Sequence, residues 1–268
     1  MTIDLEEWFH GLTSTGRRPE TWGNLESRID VGTDFLLSLF EETGIKATFF
    51  TVGVLAEQRP DIIKRIAEAG HEIGMHSQWH RHLRDLDPEA FAADLRSNRE
   101  AIKAACNAPV YGFRAPAFSV KTHMSWVWDK IEACGLSYSS SLFPIRTPLY
   151  GAPDAPISPH RRGGVIELPM SVFQLAGQHM PFSGGFYFRA LPYMAVQRIT
   201  RMLNARGEHV IFYFHPWEFD PDHPMSMGIS RREKLSHYSG LNNASDKLAR
   251  LCRDFQFAPL HKLALSVQ

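Results

Sequence analysis

Cysteine is scarce in this chain of 268 residues: Cys106, Cys134 and Cys252 stand far apart and form no C-x-x-C pair. That excludes a disulfide framework and a thiolate zinc site, and it suits a reducing compartment. Excess charge of either sign is also missing, since 29 basic side chains balance 29 acidic ones, which argues against a general nucleic-acid or anionic-membrane binder. No run of about 18 apolar residues occurs, and the opening MTIDLEEWFH has no basic segment followed by an apolar one. The chain is therefore expected to be cytoplasmic and to span no membrane. What it does have is 44% hydrophobic and 12% aromatic residues, enough for one large core, so a single domain over 1–268 is expected.

Seven short β-rich runs, MTIDL, KATFFTVG, HEIGMH, PVYGFR, GLSYSSS, GVIELP and HVIFYF, alternate with stretches in which apolar residues recur at three and four. Gly44, Gly70 and Gly135 follow such stretches where a helix C-cap would fall. This rhythm predicts an α/β fold of parallel βαβ units closed into a distorted barrel of about seven strands, complete or slightly open. Chemistry in such barrels gathers at the C-terminal strand ends. Two Pro- and Gly-rich insertions, 146–164 with its HRR and 219–243 with its RREK, are candidate lids or substrate loops, or simply solvated connections.

The strand ends carry the reactive groups. With a period of two, Asp4 and Glu6 share one face of the first strand while Glu7 points to the other. Two carboxylates in one site call for a cation or a shared proton. His76 and His80 stand four apart after HEIGM, and a helical turn there would let both imidazoles reach one ion. Two histidines and a carboxylate leave positions open for water and substrate, as catalytic zinc sites do, and an O,N-donor set also admits cobalt, nickel or iron. His71 and His76 are five apart, so the zinc-protease H-E-x-x-H reading fails. Arg114, after PVYGF, would pair with a carboxylate and lower its pKa. His215, ending HVIFYF, could act as a general acid. The plainer alternatives are two solvated rings, a rim salt bridge and a core histidine.

Taken in order, TIDLEE, HSQWH, RAPAF and YFHPWE resemble the polysaccharide deacetylases, carbohydrate esterases that share the NodB homology domain and its distorted, incomplete (β/α)7 barrel. ATFF, GGFYFRALPY and YFHPWEFDP point more narrowly to the subfamily encoded in exopolysaccharide loci linked to exosortase systems, over nearly the full length. The resemblance implies an N-deacetylase acting on an N-acetylhexosamine in a polymer or its precursor. It makes Asp4 the base, puts Glu6, His76 and His80 on a divalent metal, zinc first, and makes His215 the acid. Arg114 would orient Asp4, and the Ala117 N–H would hold the oxyanion. Two departures stand out: the first motif is D-x-E rather than two adjacent aspartates, with Glu7 in reserve for Glu6, and Ser139 replaces the aspartate of a Tyr-Asp-Ser-Ser motif.

Sugar faces stack on aromatic rings, and of the six beside the motifs Phe118 and Trp217 are expected to line the sugar site. Arg161 and Arg162 could meet a diphosphate on a nucleotide- or lipid-linked sugar. Two other functions compete: a metal-free amidohydrolase of the same fold, whose histidines bind a small amide directly, and an inactive carbohydrate-binding member of a polysaccharide assembly system.

Overall fold

Short runs of β-branched and aromatic residues buried on both faces make parallel strands, and the computed structural model has seven of them. It describes residues 1–12, 14–16, 18–147 and 150–267, so Pro148 and Leu149 of the first insertion, and Gln268 at the end of the expected domain, lie outside the described residues. The strands are β1 (Thr2–Leu5), β2 (Thr48–Thr51), β3 (Glu72–Met75), β4 (Val110–Phe113), β5 (Tyr138–Ser139), β6 (His160–Arg162), β7 (Val165–Glu167), β8 (Val172–Leu175), β9 (Gln178–Pro181) and β10 (Tyr213–Phe214). Eight form one sheet in the order β10-β1-β2-β3-β4-β5-β7-β6, and β8 pairs with β9 as a separate hairpin. Every pairing in the large sheet is parallel except that of β6 with β7. This is an α/β fold, a curled and incomplete (β/α)7 barrel with an antiparallel edge strand.

Helices α1 (Ile29–Thr43), α2 (Gly53–Gln58), α3 (Pro60–Glu68), α4 (Pro88–Cys106) and α5 (Trp126–Ala133) supply the crossovers as far as β5. Helices α6 (Gly185–Ala190) and α7 (Tyr193–Asn204) lead to β10, and α8 (Arg231–Tyr238), α9 (Ala244–Asp254) and α10 (Leu260–Ser266) follow it. None of the described helices is long and apolar enough to cross a membrane.

Period two sorts β1 cleanly. Ile3 and Leu5 join the helix-facing core, with Leu36, Phe40 and Phe49. Thr2 and Asp4 turn into the barrel, where both meet the buried Arg114. A second apolar cluster, including Phe50, Phe118, Tyr138, Phe143 and Tyr213, fills the barrel interior around that guanidinium. One glycine matters for the site: a Cβ on Gly32 would lie 1.9 Å from the Pro216 carbonyl oxygen, so only glycine lets α1 seat the turn that follows β10.

The insertions are more ordered than their composition predicts. HRR is the edge strand β6, with Arg162 packed 4.8 Å over the Trp128 ring. RREK opens α8, capped by the Ser230 hydroxyl, which accepts the Glu233 N–H.

Candidate active site

The C-terminal ends of β1, β3, β4 and β10 converge. Arg114, wholly buried after β4, donates from Nη1 to Asp4 Oδ1 at 2.8 Å and to Thr2 Oγ1 at 2.7 Å. Its Nε reaches the Ser140 carbonyl at 3.0 Å and Nη2 the Ser140 hydroxyl at 2.9 Å, so a buried charge is both paired and hydrogen-bonded. Asp4 is thereby fixed in one orientation. Glu7 turns the other way and accepts from the Ser27 hydroxyl and, at 3.2 Å, the Arg28 N–H.

Glu6 faces His76 and His80, and the ligand atoms of all three lie within 4.8 Å of one another. His80 Nε2 is 2.6 Å from Glu6 Oε2. His76 Nδ1 is 2.8 Å from the Arg114 carbonyl. A carbonyl only accepts, so Nδ1 carries the proton and Nε2 keeps its lone pair for an ion. Burial pushes His76 down to about 4, which favours that neutral form. Burial works against the Glu6 carboxylate, yet His80 and His215 hold it well below the usual carboxylate range. The donor set and its protonation fit a divalent cation.

The expected helical turn between the histidines is absent. Ser77 and His80 instead take left-handed backbone, at φ 67° and 50°, in a loop after β3. Two α4 residues hold that loop. Asp94 accepts the Ser77 hydroxyl and the Gln78 N–H, each at 3.1 Å, and Asn98 accepts the His76 N–H at 3.0 Å. The sequence reading missed both; they carry no motif, and their only trace is two polar residues on the buried side of an amphipathic helix.

His215 follows β10, its Nε2 4.0 Å from Asp4 Oδ2 and 3.7 Å from Glu6 Oε1. Its Nδ1 is 2.9 Å from Glu218 Oε1, and Glu218 Oε2 takes Arg189 Nε at 2.7 Å. Burial pulls His215 down, but Glu6, Glu218 and Asp4 more than offset it and raise the imidazole to about 9. Arg189 and Glu218 were also missed as functional residues, although they lie in GGFYFRALPY and YFHPWEFDP.

Of these groups His80, Arg189 and His215 line a cleft of about 830 Å³ whose walls also include Ala117, Trp217 and Tyr187. Both insertions contribute, the first through Tyr150 and the second through Arg232. Trp217 donates its indole N–H to Glu6 Oε1 at 3.2 Å and stacks on His215, centroids 4.9 Å apart. Phe118 does not line the cleft. Positive φ at Ala117 (50°) and Phe118 (46°) turns the ring down into the barrel, edge-on to Phe143 and Tyr213, and leaves Ala117 at the surface. Arg161 and Arg162 lie on the edge strand and do not line the cleft either. Ser139 donates to Ser141 at 2.8 Å, and Ser141 Oγ takes the Ala115 N–H at 3.0 Å, so it supports the backbone beside Arg114 rather than the guanidinium.

The polysaccharide deacetylase profile matches residues 29–138, and a domain of unknown function (DUF3473) matches 140–265. A chitooligosaccharide deacetylase from Rhizobium leguminosarum bv. trifolii is 34% identical over 74 residues, 28% of this chain and 34% of that protein. A peptidoglycan-N-acetylglucosamine deacetylase from Bacillus cereus is 34% identical over 70 residues, 26% of each. The chain thus spans about a third or less of these relatives' length. A Mycobacterium smegmatis protein described as a polysaccharide deacetylase shares the fold at a TM-score of 0.62 and 21% identity, covering 99% of this chain and 89% of that one. A carbohydrate esterase family 4 pseudoenzyme from Bacillus anthracis superposes at 0.50 and 14% identity, covering 98% and 64%. His76, His80 and Arg114 lie inside the matched profile, so residues 29–138, with the strand ends assembled as above, match the polysaccharide deacetylase family model.

Proposed function

We propose that the chain is a metal-dependent N-deacetylase that hydrolyses the acetamido group of an N-acetylhexosamine in a bacterial polysaccharide or its nucleotide- or lipid-linked precursor, working as one catalytic unit over residues 1–268. The observation that carries this reading is a proton donor and a proton acceptor held beside a three-donor set: His215, raised to about 9, lies 4.0 Å from an Asp4 that Arg114 anchors. The named activities of the relatives, on chitooligosaccharide and on peptidoglycan N-acetylglucosamine, support the sugar class.

Glu6, His76 and His80 would hold the cation, zinc first, with cobalt, nickel or iron as substitutes. Bound there, such an ion lowers the pKa of water towards about 7 and polarises a carbonyl. Asp4 takes the proton from the attacking water, with Arg114 holding its carboxylate in place. The Ala117 N–H, at the cleft surface, helps hold the oxyanion. His215 gives its proton to the sugar nitrogen as the C–N bond breaks, and Glu218 steadies the imidazolium until then. The products are acetate and a free amino sugar.

The test is calorimetric titration of Zn²⁺ into metal-stripped protein and His80→Ala, followed by an acetate-release assay on N-acetylglucosamine oligomers. One submicromolar site lost in the variant, together with acetate release by the reconstituted protein, is the expected result. Failure of the wild type to bind any of the four metals would sink the mechanism.

A further inference from the structure

Helix α8 belongs to the segment matched as a domain of unknown function, and it brings a further histidine to the cleft. His237 is 6% exposed, and its ring lies nearly parallel to that of Trp217 with centroids 4.0 Å apart. Its Nε2 is 3.1 Å from Nε2 of His223, so one proton lies between them. His223 Nδ1 is 2.7 Å from the Asp220 carbonyl, which only accepts, and that nitrogen must therefore be protonated. Burial keeps His223 neutral, with the Arg189 and Arg28 charges acting the same way, so its Nε2 is the acceptor. The shared proton then belongs to His237. Burial, His223 and Arg189 hold His237 neutral in turn, which leaves its Nδ1 a bare acceptor.

That nitrogen has no hydrogen-bond partner among the described residues, yet it is not one of the buried unsatisfied atoms, and the open space beside its ring is the cleft. The helix carrying it is clamped to the acid's support: Arg189, which pairs with Glu218, also donates to the carbonyls of Ser236 at 2.7 Å and His237 at 3.0 Å. A neutral acceptor of fixed tautomer, rigidly placed next to Trp217, selects a ligand donor. A sugar ring offers hydroxyl donors away from the reacting amide.

We infer that His237 is a substrate-positioning residue that accepts a hydrogen bond through Nδ1 from a hydroxyl of the bound N-acetylhexosamine, and that the 140–265 segment supplies this part of the sugar site. The inference rests on the deacetylase reading above. Its role is to bind and orient, not to transfer a proton.

Two substitutions separate this from a structural role, because asparagine places an oxygen near the Nδ1 position while glutamine reaches the Nε2 position. His237→Gln keeps the contact with His223 and should raise KM for the N-acetylglucosamine tetramer about tenfold with kcat within twofold. His237→Asn should leave KM within about threefold of wild type, as an acceptor still faces the cleft. Nitrogen-15 NMR of histidine-labelled wild type should show His237 protonated at Nε2 and bare at Nδ1 at neutral pH. A merely structural histidine reverses the order, with glutamine tolerated and asparagine impaired. That reversal, unchanged KM in both variants, or a protonated Nδ1 would overturn the inference while wild-type acetate release leaves the deacetylase reading intact. A wild type that neither binds the tetramer nor releases acetate would overturn both.

Discussion

At the scale of single residues, the site depends on how charge is paired. His215 stays cationic at neutral pH because three carboxylates outweigh its burial, and of these only Glu218 bonds its Nδ1. A raised imidazole loses its proton as pH climbs through its pKa, so acetate release should fall along an alkaline limb, which Glu218 sets once a cation offsets Glu6. Replacing Glu218 by Gln removes the negative charge but keeps an acceptor. The limb of kcat/KM should then move about one unit towards lower pH, checked by pH–rate profiles alongside melting temperatures, since Arg189 loses its counter-charge. An unmoved limb would assign the titration to another group. That Asp4, Glu6, His76, His80, Arg114 and His215 come together was legible, because Asp, Glu, His and Arg at the ends of apolar runs are rare and ordered. Their directions were less so. Phe118 adjoins Ala117 in sequence yet faces the core, since two consecutive residues with positive φ reverse the chain between them.

At the scale of elements, all seven parallel strands could be read from their apolar runs, whereas β6 and the β8–β9 hairpin could not. His160–Arg162 and Gln178–Pro181 are polar and largely solvent-facing, so no hydrophobic period marks them. The loop joining His76 to His80 was hidden for another reason: its left-handed residues are not glycines, and what holds the loop lies 16 or more positions away on α4. Asp94→Ala should therefore release the loop and weaken Zn²⁺ binding by about 10- to 100-fold, measured by calorimetry, although Asp94 is no ligand. Undiminished affinity would mean that the loop holds its shape without α4.

For the molecule as a whole, the ends of the chain are neighbours. β10 pairs with β1, matching Thr2 to Tyr213 and Ile3 to Phe214, and the Leu260 N–H at the start of α10 bonds the Thr48 hydroxyl of β2 at 2.8 Å. Asp4 and His215 thus come from distant parts of the sequence and meet across one strand pair. Such a sheet should unfold in one step, with far-UV and near-UV circular dichroism melting together. Separated transitions would show that 29–138 and 140–265 are independent units.

Arg114 ties this arrangement together in an uneven way. Its guanidinium anchors Asp4, but it is the backbone carbonyl of the same residue that fixes the proton on His76. Any side chain at position 114 keeps that carbonyl, so the ion site and the base are separately heritable. On the proposed deacetylase reading, a lineage that exchanged the arginine would forfeit hydrolysis first and retain its metal and its grip on sugar, becoming a carbohydrate receptor by a single codon change.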